Sequence, residues 1–322
     1  VDDGGTLGSR KHVNLPGTHV NLPAITDKDR EDILFGMEHD IDFVALSFVR
    51  SASDIAELRE LFGSKSLRVV AKIESQEGVA NIDEITEASD AVMVARGDLG
   101  IETDIAALPN VQRHLVRTCA QKGRRCIVAT HLLESMIENP IPTRAEVTDV
   151  ANAIYEGVDA IMLSAETSIG KHPDRCVLQL AKIAEASERF PGLGFASELT
   201  VDTDKQHLAK SAVSLAESIG AAGIVIITRR GLTADLVTNC HPIDVPIYAF
   251  TNNSQTRRRL MLNRGMFSHR TAFSRDPEKT IQTALRVLRQ REGVESDAKV
   301  VVISDVLAEA RIDAIQIRTV GT

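Results

Sequence analysis

Leu67-Arg-Val-Val-Ala-Lys72-Ile-Glu74, followed by Ala91-Val-Met-Val-Ala-Arg96-Gly-Asp98, decides the reading of this chain. Each segment opens on an apolar run, Leu67–Ala71 and Ala91–Ala95, and closes on charged residues. Short apolar runs bounded by polar residues read as buried parallel strands. On a strand, positions i and i+2 point the same way. Lys72 and Glu74 are therefore expected to share a face at one strand's end, and Arg96 and Asp98 at the next. One ammonium and two carboxylates would meet at the mouth of a parallel sheet. Two carboxylates suit a hard divalent ion such as magnesium. A lysine beside that ion suits a phosphoryl group or an enolate. Taken alone, the same three charges read equally well as a structural ion-pair network.

Working outward, strand patterns alternate with helical ones. The strands are expected at Asp42–Val49, Leu67–Ile73, Asp90–Arg96, Arg125–Thr130 and Asp159–Ser164. Thr26 is placed to cap a helix over Asp27–Glu38, and Ser53 one over Asp54–Phe62. Thr143 and Glu146 have capping-box spacing, and Gly157 suits the end of that helix. Serial βα units imply a parallel sheet with helices outside. Polar or small residues close every strand: Ser47, Lys72 with Glu74, Asp98, Thr130, and Ser164 with Glu166. Chemistry at every strand end favours a barrel over an open sheet, whose ligands gather at one switch point. Such a barrel has eight strands; five are visible here.

A break at Phe190–Asp204 precedes a second α/β unit. Its strands are expected at Gly223–Thr228, Ile247–Thr251, Lys299–Ser304 and Ala314–Thr319. Its helices are expected at Gln206–Ile219, Thr233–Cys240, Ser254–Arg264 and Pro277–Arg291. Boundaries follow: residues 1–12 as the exit of a preceding domain, 13–190 as a partial barrel, 191–204 as linker, 205–322 as the second unit. A start at Val1, in a Gly-rich stretch, reads as the tail of a longer chain.

Composition narrows the function. The 322 residues carry 37 basic and 45 acidic side chains, a net charge of −8. That disfavours nucleic-acid binding, which needs a basic footprint, and 3% aromatic content with no Trp offers no base-stacking platform. No membrane span or signal peptide is legible. The four cysteines, Cys119, Cys126, Cys176 and Cys240, fit no zinc spacing, and a reducing, cytoplasmic setting is the default.

Six motifs in order resemble the pyruvate kinase family: DFVALSFVR at Asp42–Arg50, KIESQEG at Lys72–Gly78, MVARGDLGIE at Met93–Glu102, ATHLLESM at Ala129–Met136, PTRAEVTDVAN at Pro142–Asn152 and MLSAET at Met162–Thr167. VNLPG at Val13–Gly17 is similar to the segment that leaves the family's lid domain. The resemblance implies a partial (β/α)8 barrel followed by a smaller regulatory domain. It implies phosphoryl transfer from phosphoenolpyruvate to ADP, giving pyruvate and ATP. Lys72 would stabilise the transferring phosphoryl group and the enolate. Glu74 and Asp98 would hold magnesium, while potassium ligands would lie upstream of Val1. Gly97 and Asp98 would offer N–H groups to the substrate carboxylate, and Thr130 its hydroxyl. Ser164 and Glu166 would sit in a proton-relay region. Arg96 would brace the site, and Ser47 would pack at the mouth.

Departures from the family pattern are His131 for Gln, Ala165 for Gly and Ser75 for Asn. In the second unit, Thr228, Arg229, Arg230, Gly231 and Thr233 occupy a loop that often cradles an effector phosphate. Arg230 replaces a Ser there, and the opposing loop reads Leu307–Arg311, where Glu309 would repel phosphate. A sugar-phosphate effector and a homo-oligomer, a tetramer in the family, are implied. Two other readings remain open: a non-catalytic ligand-binding fragment, and a magnesium-dependent lyase or aldolase of the pyruvate-barrel type. The chain by itself is expected to be inactive.

Overall fold

The computed structural model describes residues 4–5, 22–304 and 314–321. The lid-exit segment and the Glu309 loop therefore lie outside the described residues.

The first sheet is parallel, with its strands in chain order: β1 (Phe43–Leu46), β2 (Arg68–Ile73), β3 (Ala91–Ala95), β4 (Arg125–Ala129) and β5 (Ala160–Met162). Helices α1 (Asp27–Glu38), α2 (Ala52–Leu61), α3 (Gln76–Ala80), α4 (Ile82–Ala88), α5 (Arg96–Glu102), α6 (Leu108–Lys122), α7 (Arg144–Glu156), α8 (Ala165–Ser168) and α9 (Pro173–Glu188) fill the connections. This is the order of a partial (β/α)8 barrel. Two-residue periodicity divides the strand side chains. Val69, Ala71, Ile73, Val92, Val94, Cys126 and Val128 pack against the helices in the main core. Val70, Ala91, Met93, Ile127 and Ala129 form a smaller cluster with Phe43, Ala160 and Leu262. Lys72 and Glu74 continue Val70's side of β2, which aims them at the barrel mouth.

Local chemistry sets the helix ends. Thr26 and Asp29 form a capping box on α1, and Thr143 and Glu146 one on α7. Gly157 closes α7 at φ 84°, a left-handed value that glycine adopts without strain. The α2 helix begins at Ala52 after Ser51, not after Ser53. Asp54 reaches back to accept from the Arg50 and Ser51 amides at 2.8 and 3.2 Å, which moves the start two residues earlier. A larger correction concerns Arg96-Gly97-Asp98. The strand stops at Ala95, and these residues form the first turn of α5, so Arg96 and Asp98 do not share a strand face.

The second sheet has the order β10-β9-β6-β7-β8, from β6 (Ile224–Ile227), β7 (Ile247–Thr251), β8 (Met266–Arg270), β9 (Lys299–Ser304) and β10 (Ala314–Thr319). Only the β9–β10 pairing is antiparallel. Helices α10 (Asp204–Ser218), α11 (Leu232–Asn239), α12 (Ser254–Leu260) and α13 (Pro277–Val287) cover it. The β8 strand is an addition to the sequence reading. Its Met-Phe-Ser-His-Arg has no apolar run because it is a half-exposed edge. The helix expected through Arg264 stops at Leu260, and Met261 caps it by donating its N–H to the Arg258 carbonyl at 3.1 Å. A π turn at Leu288–Glu292 ends the helix expected through Arg291. Residues 191–204 are pinned: Glu198 accepts from Arg117 and Gln121 at 2.8 and 2.7 Å, and Leu193 N–H donates to the Tyr155 carbonyl at 2.7 Å.

Charged residues of alternating sign stand at or just before the N-terminal end of every barrel strand: Asp42, Arg68, Asp90, Arg125 and Asp159. Arg125 and Asp159 form a buried pair at 2.7 Å. Asp90 accepts from Arg59 and from the Val69 amide, both at 2.8 Å. The others reach the second unit. Arg258 donates to Asp42 at 2.5 Å, and Arg68 to Asp235 at 2.6 Å. The second unit thus docks on the barrel's bottom, with Leu262 in the inner cluster.

Candidate active site

The site residues expected from the sequence stand at or just beyond the opposite, C-terminal ends of the strands. At the end of β2, the Lys72 ammonium donates to Ser47 Oγ at 2.8 Å and pairs with Glu74 Oε1 at 2.8 Å. The Lys72 side chain is 24% exposed and that of Glu74 only 2%. The second Glu74 oxygen accepts from the Phe48 amide at 2.7 Å. Phe48 holds φ at +50°, a strained value for a bulky residue. The turn after β1 therefore orients both charged groups: Ser47 steers the ammonium, and Phe48 anchors the carboxylate.

Asp98 lies in the first turn of α5 and is half-buried. Among the described residues no cluster of three or more metal-binding side chains exists. Magnesium does not require one, because it binds through one or two carboxylates plus water and substrate oxygens. Among the described residues each Glu74 oxygen has one partner, Lys72 or the Phe48 amide, which leaves it a lone pair. Glu74 and Asp98 supply the hard oxygen donors such an ion needs, so the residues fit it.

Thr130 ends β4 in a second strained turn, with φ +72° at Thr130 and +55° at His131. A β-branched residue in that region costs about 1–3 kcal/mol, which surrounding bonds must offset. Thr130 Oγ1 accepts the Gly97 amide at 2.8 Å and donates to the Ala129 carbonyl at 2.6 Å. The Gly97 N–H is thus engaged by Thr130, where the sequence reading aimed it at substrate. Arg96 is buried and turns below the mouth, where it binds the Thr130 and His131 carbonyls and Asp149. Ser164 caps α8, and its amide donates to Glu166 at 2.7 Å. The other Glu166 oxygen accepts from the Leu133 amide at 3.1 Å. Glu166 is 2% exposed and ties the loop after β5 to the loop after β4.

Lys72, Glu74, Asp98, Gly97 and Thr130 therefore stand at the ends of neighbouring strands, with Ser164 and Glu166 on the flank. Sequence reasoning left Ser47 as packing and had no signal for Phe48, since phenylalanine is no turn former.

In the second unit, Gly231 at φ 87° opens α11, and its amide donates to Thr228 Oγ1 at 3.1 Å. Thr228 and Thr233 are buried, while Arg229 and Arg230 are exposed. The loop offers solvent two guanidinium groups rather than two hydroxyls.

Comparison with known proteins matches residues 1–177 to the family model "Pyruvate kinase, barrel domain". Residues 206–317 match "Pyruvate kinase, alpha/beta domain". The chain belongs to the pyruvate kinase family. It is 39% identical to a pyruvate kinase of Clostridium perfringens over 311 residues, 94% of this chain and 65% of that protein. It is 42% identical to one of Geobacillus stearothermophilus over 311 residues, 94% of this chain and 53% of that protein. A Dictyostelium discoideum pyruvate kinase is 38% identical over 335 residues, all of this chain and 66% of that protein. The chain thus spans between about half and two thirds of these relatives. Among the described residues no helix is long and apolar enough to cross a membrane.

Proposed function

We propose that this chain carries the phosphoryl-transfer site of a glycolytic pyruvate kinase, moving phosphate from phosphoenolpyruvate to ADP to give pyruvate and ATP. The observation that carries the reading is the Lys72 ammonium, held between Ser47 and Glu74 at the barrel mouth. Phosphoryl transfer is mostly positioning and charge neutralisation. Lys72 faces the transferring phosphoryl group and the enolate oxygen left behind. A donor aimed at such developing charge contributes about 3–4 kcal/mol to the barrier. Glu74 and Asp98 would hold magnesium, which when bound offsets the negative charge on the phosphate and enolate oxygens. Thr130 and the Asp98 N–H orient the substrate carboxylate, while the Gly97 N–H holds Thr130 Oγ1 in place. The Thr130 hydroxyl also borders the path by which a proton reaches the enolate carbon. Ser164 and Glu166 hold the flanking loops in place. Potassium, supplied against residues outside the described ones, belongs to the same reading.

A cytoplasmic homo-oligomer follows the family pattern, as does a sugar-phosphate effector at Thr228–Thr233. For the 322-residue polypeptide by itself we expect no sustained ATP formation. Among the described residues β1 and β5 are the edges of the barrel sheet. An unclosed barrel gives the mouth little of the rigidity that catalysis needs.

The test is Lys72→Met in the full-length gene product, assayed for pyruvate with and without ADP. Turnover should fall by orders of magnitude while phosphoenolpyruvate binding partly survives. A loss under about tenfold contradicts the role of Lys72. Pyruvate release independent of ADP favours the lyase reading, and ligand binding without turnover in the unaltered protein favours the non-catalytic one.

A further inference from the structure

The Thr130–His131 turn holds two consecutive non-glycine residues at positive φ, and one side chain holds the turn. Arg96 Nε and Nη2 donate to the Thr130 carbonyl at 3.2 and 2.7 Å. The same Nη2 donates to the His131 carbonyl at 3.2 Å. Nη1 donates to Asp149 Oδ1 on α7 at 2.7 Å and reaches Gln112 Oε1 at 3.5 Å. Gln112 in turn donates to the buried Glu156 at 2.8 Å. All three guanidinium nitrogens are used, and the side chain is 9% exposed.

We infer that Arg96 is a positioning residue, whose guanidinium clamps the Thr130–His131 turn in the left-handed conformation that sets Thr130 Oγ1 against Gly97. The inference rests on the reading of Thr130 as substrate-facing and deepens it. A buried arginine kept only for stability would pair with carboxylates. This one spends three of its bonds on the two carbonyls of a strained turn beside the site. Asp149 holds the guanidinium from the far side, on a helix that carries no site residue. A planar fork suits this task, because a lysine ammonium cannot span the Thr130 carbonyl, the His131 carbonyl and Asp149 together. Opening the clamp lets Thr130 relax toward negative φ and carries its hydroxyl away from Gly97. The substrate would then still bind through Lys72 and the carboxylates, but would meet a misplaced hydroxyl.

The experiment compares Arg96→Lys and Asp149→Asn with the unaltered full-length gene product. The first readout is amide hydrogen exchange, which needs no turnover. In Arg96→Lys the Gly97 amide should exchange at least about tenfold faster, while the β4 amides of Ile127 and Val128 keep their protection. Asp149→Asn, which keeps the guanidinium, should lie between. The second readout is kinetic: kcat should fall about tenfold or more with KM for phosphoenolpyruvate within about threefold. Manganese(II) affinity, which reports on Glu74 and Asp98, should stay within about twofold. Unchanged Gly97 exchange in Arg96→Lys overturns the clamp, as does uniform loss of protection across β4 in both variants. If Gly97 exchange rises as expected but the unaltered protein forms no ATP from phosphoenolpyruvate, the clamp stands and the functional reading falls.

Discussion

Removing Asp235 should loosen the second unit from the barrel, and the size of the effect follows from its partners. Asp235 accepts from Arg68 at 2.6 and 3.5 Å and from Asn263 at 2.9 Å. The Arg68 and Asp235 side chains are 17% and 22% exposed. Two unit charges about 4 Å apart attract by roughly 4 kcal/mol at an effective dielectric of 20. Desolvation of both groups offsets much of that gain. Asp235→Ala would also leave Arg68 short of a partner in a half-dry interface, although water can reach part of it. We expect a loss of about 2–3 kcal/mol from Asp235→Ala, and about 1–2 kcal/mol of coupling in a double-mutant cycle with Arg68→Ala.

The chain suits this measurement. It has no Trp and two tyrosines, Tyr155 in α7 and Tyr248 in β7, one in each unit. Single Tyr→Phe variants let each unit be followed separately during urea unfolding. In the parent the two probes should move together; in Asp235→Ala the Tyr248 and Tyr155 transitions should separate. A coupling energy under about 0.5 kcal/mol, with coincident transitions, would refute the view that this pair joins the units.

Burial holds the His241 pKa at about 4, below its ordinary 6.5, with nearby Asp159 opposing and Arg264 and Arg125 adding to the shift. The unfolded chain therefore binds the extra proton first: stability from this group is full above pH 6.5 and is lost as pH falls from 6.5 to 4. The loss should amount to about 2–3 kcal/mol, and His241→Gln should flatten that limb of the stability–pH curve measured by circular dichroism. Bisphosphorylated sugars should activate the full-length product weakly, since Thr228 and Thr233 are buried; strong saturable activation in a fructose bisphosphate titration would contradict this. Burial raises the Cys176 thiol, and the neighbouring Cys119 thiol together with burial raises that of Cys126. Iodoacetamide should therefore leave both unmodified in the folded protein and label them after denaturation, as read by mass spectrometry.

Much of the fold is legible because local signals agree with it. Thr26, Thr143 and Gly157 act where their capping chemistry places them. Lys72 and Glu74 meet at 2.8 Å, as two-residue periodicity requires. Arg96-Gly97-Asp98 reads as a strand end in the sequence because nothing in an apolar run marks the residue at which strand becomes helix. That one shift turns Arg96 inward, onto the Thr130 and His131 carbonyls and Asp149. Met266–Arg270 carries no strand signal in the sequence because an edge strand need not be apolar. The backbone strain at Phe48, Thr130 and His131 has no sequence signature, since none is glycine or asparagine. It exists because tertiary bonds over-determine those turns.

On the proposed function, the two ends of the barrel sheet divide stability from chemistry, which bears on which residues can change. At the N-terminal end, Asp42, Arg68, Arg125 and Asp159 satisfy one another or the second unit through ion pairs and backbone bonds. Positive φ occurs at this end as well, at Asp40 and at His241, whose charged neighbours include Asp159 and Arg125. At the C-terminal end, positive-φ turns follow β1 and β4, and Lys72 is left a quarter exposed between Ser47 and Glu74. A strained turn costs stability wherever it occurs, so its retention at the mouth needs bonds from elsewhere. Arg96, Glu74 and Glu166 provide them, each buried: Arg96 and Glu166 bond backbone of the loop after β4, and Glu74 that of the loop after β1. Substitution at the bottom should therefore lower stability with Lys72 geometry intact. Substitution of those three braces should move the reacting groups first.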